Sequence, residues 1–401
     1  MTELLERARQ RADLPVDTDV LIVGGGIMGS ALAYFLARQG VEVVLLERGE
    51  LNREASGTNA GSFHLQIAIH QLTGLETDSI GDRLLMDVRL NVEAGRLWEE
   101  LERELDAPLD VHITGGLMVA ETPDELRLLN DKQRLEARGG LETHVLTGAE
   151  LRSFAPYLAD DLAGATYCPR EGHVNPLVVA PVFALRAAEA GAEIRSRTPV
   201  TAIAPRAGGG FDVHTPAGTV RARRVVNAAG AWADDVGRLV GLDLPLRREG
   251  LHVNVTEPRA RLLEPLIQHI GRRLTLKQSS NLTFIIGGGW PARPEPPPAR
   301  YSTRWESAAG NAAVAVRVVP ALADVRLLRT WTGVMTFTND FTPVVGESAR
   351  VPGFHMLVVT TGFTLGPLLA LRLAEQLTGT GPDLPPEYSP DRPSAASPAA
   401  T

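Results

Sequence analysis

The stretch DVLIVGGGIMGSALAYFLARQGVEVVLLER, residues 19–48, decides how this chain is read. VLIV (20–23) is a short apolar run of the kind that forms a buried parallel strand. Helical periodicity runs from Ile27 to Gln39, Gly40 stops it, and VEVVLLE (41–47) reads as the next strand. Between strand and helix, Gly24, Gly26 and Gly29 stand in G-x-G-x-x-G register. The first glycine permits the tight turn, the second lets the backbone approach a pyrophosphate, and the third lets the helix pack closely on the sheet. The helix start, with Ile27 and Met28, then offers free N–H groups and a favourable dipole to negative charge. Glu47 ends the second strand, about 20 residues on, where a carboxylate accepts hydrogen bonds from ribose hydroxyls and repels a 2′-phosphate. A lone G-x-G-x-x-G is weak evidence; the complete ordered set specifies a dinucleotide site.

Composition narrows the class. The chain has 401 residues, 44% hydrophobic and 22% charged, as in ordinary globular proteins. A formal net charge of −8 and the lack of a long basic run disfavour nucleic acid and anionic membrane surfaces. The single cysteine, Cys168, forms neither an intrachain disulfide, a zinc site nor an iron–sulfur cluster, so no metal is expected and Cys168 reads as a small buried side chain. Residues 1–14 read as a short amphipathic helix without the apolar core of a signal peptide. No apolar stretch is long enough to span a bilayer, and a cytoplasmic location is the expectation.

The fold class expected is α/β: a Rossmann-type domain, a parallel sheet with helices, interleaved with a domain built on a mixed β-sheet. The expected boundaries are a helical extension at 1–14, a discontinuous dinucleotide domain at 15–90, 165–240 and 330–380, a second domain at 91–164 and 241–329, and a disordered tail at 381–401 rich in Pro, Ser and Ala. Helices are expected at 83–105 and 123–138, and hairpin turns at 207–210 and 216–218. PARPEPPPAR (291–300) reads as a loop, since proline suits neither a central strand nor a helix interior.

Two distant segments choose between FAD and NAD. VVNAAGAWADDVG (225–237) is an apolar strand ending in small residues, among them Ala229 and Gly230, against which a dinucleotide can lie. VVTTGFTLGPLLALRLAEQL (358–377) is a strand, a glycine-containing loop and a helix starting at Gly366 and Pro367, whose N-terminus can stabilise negative charge on a reduced flavin. A cofactor touching the beginning, middle and end of the chain suits extended FAD better than NAD.

With ASGTNAGSFH (55–64), EGHVNP (171–176), RRVVNAAGAWADDVG (223–237), RTWTGVMTFTNDFTPVVG (329–346) and TTGFTLGP (360–367) added to 19–48, the chain resembles the D-amino-acid oxidase superfamily of flavoproteins, which includes sarcosine and glycine oxidases. LHVNVTEP (251–258) and FIIGGGWP (284–291) are similar to the flavoprotein subunits of opine oxidases, proline or hydroxyproline dehydrogenases and hydrogen cyanide synthase. The resemblance implies oxidation of a C–N bond in an amino acid, secondary amine or related compound, with hydride transfer to flavin N5 and hydrolysis of the resulting imine. It implies that Ala55, Ser56, Thr58, Asn59, Ala60 and Gly61 wrap the pyrophosphate and flavin, that Val200 lines the adenine site, and that Gly362, Phe363, Thr364, Leu365 and Gly366 reach the pyrimidine end. Arg48, Trp232 and Gly333 fall in the same matched stretches and join the expected cofactor contacts.

The chain also departs from that pattern. Met335 stands where many relatives grip a substrate carboxylate with arginine. The sarcosine-oxidase lysines near Thr364 and, for oxygen activation, near Ile285 are missing. No cysteine stands near Val334 or Met335 for covalent attachment, so FAD is expected to be non-covalent. A carboxylate would then be held by Arg248, Arg170 or Arg329, or the substrate presents another group, and an acceptor other than oxygen is expected. Candidate catalytic residues are His64, which can accept an amine proton, Arg248, and Trp290 as a pocket wall, with His252 nearby in sequence to Arg248. Two further readings are a flavin-carrying electron-transfer or scaffold subunit, with a partner subunit carrying an iron–sulfur centre, and an NAD-linked dehydrogenase.

Overall fold

The apolar run after Asp19 is the central strand of a mostly parallel sheet. The computed structural model describes residues 14, 16–68, 78–244, 246–296 and 300–392. Strand Asp17–Val23 pairs in parallel with Val43–Leu46 on one side and Gly218–Asn227 on the other. Glu193–Arg195 and Phe354–Val358 extend the sheet in parallel, and Val344–Glu347 adds an antiparallel edge. Helix Ile27–Ala37 packs against helices Val179–Glu189 and Gly362–Thr378. Val20 to Val23 are buried, as a strand covered on both faces must be.

The second sheet is mixed, with described strands in the order Leu327–Phe337, Arg247–Pro258, Thr283–Gly287, Thr275–Gln278, Leu266–His269, Gly116–Ala120, Gly164–Cys168 and His144–Thr147. Side chains alternate between faces, so Leu117, Val119, Ile267, Leu276, Phe284 and Ile286 share one apolar face. Helices Gly148–Phe154 and Trp305–Val318 cover it with Leu151, Ala315 and Val318. The opposite face carries Thr166, Gln268, Thr275 and Lys277. Helices Pro123–Arg138 and Gly148–Phe154 each begin with a reciprocal cap, Thr122 with Glu125 and Thr147 with Glu150, which satisfies the first free N–H groups.

The chain divides into two units, Met1–Gly57, Pro176–Glu249 and Val334–Thr401 in one, Thr58–Asn175 and Gly250–Gly333 in the other. These bounds differ from the expected ones chiefly at 58–90 and 165–175, which join the second unit. The reason is pairing: Ser62–Phe63 forms a two-stranded ladder with Gly172–His173, and Trp331 Nε1 donates to the Thr58 carbonyl at 2.7 Å. Three further expectations are revised. The last helix starts at Gly362, not at 366, and keeps Pro367 inside it; the backbone bond that proline forgoes is offset by burial of Leu365, Leu368, Leu369 and Leu373. The proline-rich loop contains a small hairpin, Arg293–Glu295 with Arg300–Ser302, a two-stranded ribbon in which Pro294 interrupts no larger sheet. Residues 381–392 of the expected disordered tail are ordered: Tyr388 is buried, and Arg392 forks onto Asp340 at 2.9 and 3.0 Å while donating to the Pro343 and Thr342 carbonyls. Residues 393–401, and residues 1–13 of the expected N-terminal helix, lie outside the described residues.

Candidate functional site

In the first unit the site is built on the turn after Val23. Gly24 has φ +115°, a conformation side chains rarely adopt, and a β-carbon there would stand 2.5 Å from the Ala228 carbonyl oxygen. The end of strand Gly218–Asn227 therefore lies directly against the glycine turn. A β-carbon on Gly29 would collide with the Gly24 carbonyl, so helix and turn touch backbone to backbone. Helix Ile27–Ala37 begins at Gly26 with no side-chain cap of its own and no acidic residue in its first turn. The Ser56 hydroxyl accepts the Ile27 N–H at 2.9 Å, which brings two expected cofactor contacts, distant in sequence, to one helix start.

Glu47 bends back to this turn. Its Oε2 accepts from the Gly25 N–H and its Oε1 from the Gly49 N–H, both at 2.8 Å. The carboxylate keeps lone pairs beyond these two bonds, so it ties down the glycine loop and still has capacity for ribose hydroxyls. The segment entering Val200 runs beside it, with the Arg197 N–H on the Gly49 carbonyl at 2.7 Å and the Thr198 N–H on the Glu47 carbonyl at 2.8 Å. Arg48 stacks its guanidinium 3.7 Å from the centre of the Trp232 ring and pairs with Glu54 at 3.1 Å. Sequence reading singled out Arg48 and Trp232 separately; the cation–π contact joins them. Ile27 and Met28 are buried, and a β-carbon on Gly366 would stand 2.9 Å from Met28 Cγ. Thr364, Leu365 and Gly366 are likewise buried, so this stretch contributes helix packing, while Gly362 and Phe363 are half-buried at the new helix start.

This cradle fits a dinucleotide. A β-carbon on Gly26 would meet only Ser56, and free N–H groups, a helix dipole and a carboxylate at the second strand converge on the same turn.

In the second unit, the loop carrying Thr58, Asn59, Ala60 and Gly61 crosses the polar face of the mixed sheet. Asn59 Oδ1 accepts from the Gly61 N–H at 2.6 Å, and Gly333 leaves room for the Thr58 side chain. A β-carbon on Gly287 would lie 2.9 Å from Thr275 Oγ1 and 3.8 Å from the Ala60 side chain, which places Ala60 over the face that bears Thr275 and Lys277. Beyond Phe63 two buried carboxylates hold the chain by its backbone. Glu171 Oε1 accepts from the Leu65 and Gln66 N–H groups at 2.7 and 2.8 Å, and Glu136 Oε1 accepts from Ile67 at 2.9 Å. Lys132 completes the set, donating to Glu136 at 2.6 Å and to Gln66 Oε1 at 2.9 Å. Burial raises the Glu171 pKa above the usual carboxylate range, opposed by its hydrogen bonds from Gln66 and Leu65 and by the Lys132 charge.

His64 precedes this anchored segment. Desolvation, and then the Lys277 charge, push its pKa down to about 4, so the imidazole is neutral near pH 7. Lys277 was missed by sequence reading. It sits directly opposite Ile285 across the antiparallel ladder, on the strand next to the one where a lysine was sought. A signal existed: Lys132 and Lys277 are the only lysines among forty Lys and Arg residues.

The other candidates are placed elsewhere. Arg248 is paired with Asp234 and, at 2.6 Å, with Asp235, so its charge is already matched. Arg170 forks onto Glu99 at 2.7 and 2.6 Å, and Arg329 is exposed. Trp290 donates its indole N–H to the Arg273 carbonyl at 2.6 Å and packs on Gly310 of the helix that covers the apolar face, where it lines a surface groove with Arg272, Arg304 and Glu306. It is a packing residue rather than a wall of the polar face. His252 is structural, with Nδ1 at 3.0 Å from Thr330 Oγ1 and Nε2 accepting from the Arg304 N–H at 3.0 Å. Cys168 is buried, as expected.

Comparison with known proteins agrees with this geometry. The chain is 28% identical over 371 residues to mitochondrial dimethylglycine dehydrogenase of Rattus norvegicus, a match covering 87% of this chain and 41% of that protein. The chain thus spans about two fifths of the length of that relative and of its mouse and human counterparts. An opine oxidase subunit of Rhizobium meliloti is 28% identical over 369 residues, covering 90% of this chain and 93% of that one. L-proline dehydrogenase from P. horikoshii shares the fold, with a TM-score of 0.82 at 23% identity over 94% of this chain and 98% of that one. The model of the DAO family, FAD dependent oxidoreductases, matches residues 19–376, a span that runs from the first strand to the last helix. That span covers most of the chain, and the chain belongs to the DAO family of FAD dependent oxidoreductases.

Proposed function

We propose that this enzyme oxidises a C–N bond of an amino acid, secondary amine or related small molecule. Bound FAD, held non-covalently, supplies a hydride acceptor at its N5. The observation that carries the reading is the full cradle at residues 24–29 and 47–56, in a chain whose relatives include dehydrogenases of dimethylglycine and sarcosine. The N–H groups of the helix start hold the pyrophosphate, and Glu47 holds the adenosine ribose. The helix that starts at the half-buried residues Gly362 and Phe363 would offer its N-terminal N–H groups to the flavin pyrimidine. His64, neutral near pH 7, accepts a hydrogen bond or a proton from the substrate amine.

Anaerobic mixing of the holoenzyme with a panel of amino acids and secondary amines tests the reaction; bleaching of the flavin band by at least one of them is expected. Gly26→Val tests the cradle, because a branched side chain takes the space of the pyrophosphate, and the expected result is protein purified without FAD. A variant retaining a full complement of FAD would displace the dinucleotide from this turn. A second reading, an electron-transfer or scaffold component that works with a partner carrying an iron–sulfur centre, rests on the match to an opine oxidase subunit over 93% of that protein. Flavin that no amine bleaches alone, but that is reduced once a partner is added, would favour it.

A further inference from the structure

Of the cations first considered for holding a substrate carboxylate, Arg248 and Arg170 are matched by carboxylates and Arg329 is exposed. Lys277 is the opposite case. The residue is 3% exposed, and its ammonium forms no hydrogen bond or ion pair with any described residue. A buried cation without an acceptor is costly, because water is removed and nothing replaces it. The strand register sets its direction. Leu276 and Gln278 turn to the side of the apolar core, and Thr275 and Lys277 to the face crossed by the Thr58–Gly61 loop.

The charged and titratable groups around it come from four elements. His64 follows strand Ser62–Phe63, and His173 lies on strand Gly172–His173. Asp110 lies on the loop before strand Gly116–Ala120, and His173 is in turn neighboured by His112 on that loop and by Arg261, which precedes strand Leu266–His269. Asp110 is the one carboxylate among those named, and it is engaged by His112 Nε2 at 2.7 Å and by the Ser280 hydroxyl. His64 and His173 are desolvated, with pKa values pushed down to about 4 and about 2, so neither adds positive charge near pH 7. Among the described residues, the one carboxylate that acts on the Lys277 charge, Asp110, is thus held by other partners, and no acceptor contacts the ammonium.

We propose that Lys277 is the substrate-binding cation of this enzyme and that it receives the carboxylate of an amino-acid or N-substituted amino-acid substrate. The assignment rests on the amine-oxidation reading and narrows it to carboxylate-bearing amines. A charge-assisted N–H···O contact is the interaction an isolated buried ammonium lacks. Because burial pulls the Lys277 pKa down to about 7, a bound carboxylate also draws the amine to its charged form, and binding takes up a proton.

The test uses the FAD-loaded enzyme with acetate as probe and acetamide as the uncharged control, read by calorimetry and by perturbation of the flavin spectrum. Acetate is expected to bind more weakly by about tenfold per pH unit above pH 7, while acetamide shows no such dependence. Lys277→Met is expected to weaken acetate about ten- to a hundredfold, and Lys277→Arg to retain binding without the pH dependence. A measurement on the unsubstituted enzyme guards against a variant that fails to fold. With two lysines in the chain, acylation of Lys277 by a small anhydride can be followed by mass spectrometry, and acetate at ten times its Kd should slow it about tenfold. Acetate that binds Lys277→Met as tightly as the parent enzyme, or that leaves acylation of Lys277 unchanged, overturns the proposal. Neither measurement needs turnover. A flavin that no amine bleaches, with acetate still protecting Lys277, would therefore reject the reaction and not the site.

Discussion

Lys132 and Lys277 are both buried and both serve the polar side of the mixed sheet, yet their surroundings differ. Lys132 has Glu136 at 2.6 Å one helical turn away and Gln66 at 2.9 Å, and the same carboxylate also accepts from Ile67 and Thr143. Lys277 has no acceptor among the described residues. A charge kept for structure is matched inside the fold, since each unmatched partner would carry the full desolvation cost. A charge kept for a ligand is left incomplete, and the ligand supplies the missing half. Arg248 sides with Lys132 in this contrast, although the sequence had grouped it with the substrate.

The sharpest way to break the contrast is Lys132→Met. It strands the buried Glu136 carboxylate and should cost about 3–5 kcal/mol, measured as a lowered urea midpoint at unchanged slope. A variant as stable as the parent would mean that the pair is not what holds the Gln66 side chain and the Ile67 backbone, and the distinction between the two lysines would fall. Lys277→Met should behave in the opposite sense. Folded Lys277 releases its proton near pH 7 and the unfolded side chain near 10.5. Between those values the unfolded chain binds more protons, so stability of the parent rises with pH by about 1.4 kcal/mol per unit. The variant lacks that rise and should match or exceed the parent below pH 7. Denaturation curves at pH 6, 8 and 9.5 read the sign directly, and a parent that loses stability across this range contradicts the assignment. The smallest effect is expected for Arg248→Gln, which removes a partly exposed ion pair worth about 1 kcal/mol. Its KM for a carboxylate substrate should stay within twofold of the parent, and a tenfold rise would return Arg248 to the substrate.

The first βαβ unit was legible because everything it needs is local. Gly24, Gly26 and Gly29 are dictated by backbone approach over a few residues, and Glu47 by the length of one helix and one strand. Ser56 was singled out by resemblance, and the bond it accepts from Ile27 gives the physical reason. The start of the last helix was misplaced because Pro367 is a strong local breaker, and burial of its apolar face overrode that local preference. Residues 381–392 were read as disordered from composition, yet the buried Arg392–Asp340 pair fixes them through a contact that composition does not encode.

The sequence by itself determined the βαβ turn, the dinucleotide and, through its ordered motifs, an α/β enzyme using FAD. These features follow from periodicity and from residues with special backbone geometry, properties carried by neighbours along the chain. Only the tertiary structure decided which charges are matched. It brought Asp234 and Asp235 to Arg248, Glu136 to Lys132, and His64 and His173 to the surroundings of Lys277. Desolvation and pairing are properties of a location, and a location on this sheet is assembled from strands and loops that the chain keeps far apart.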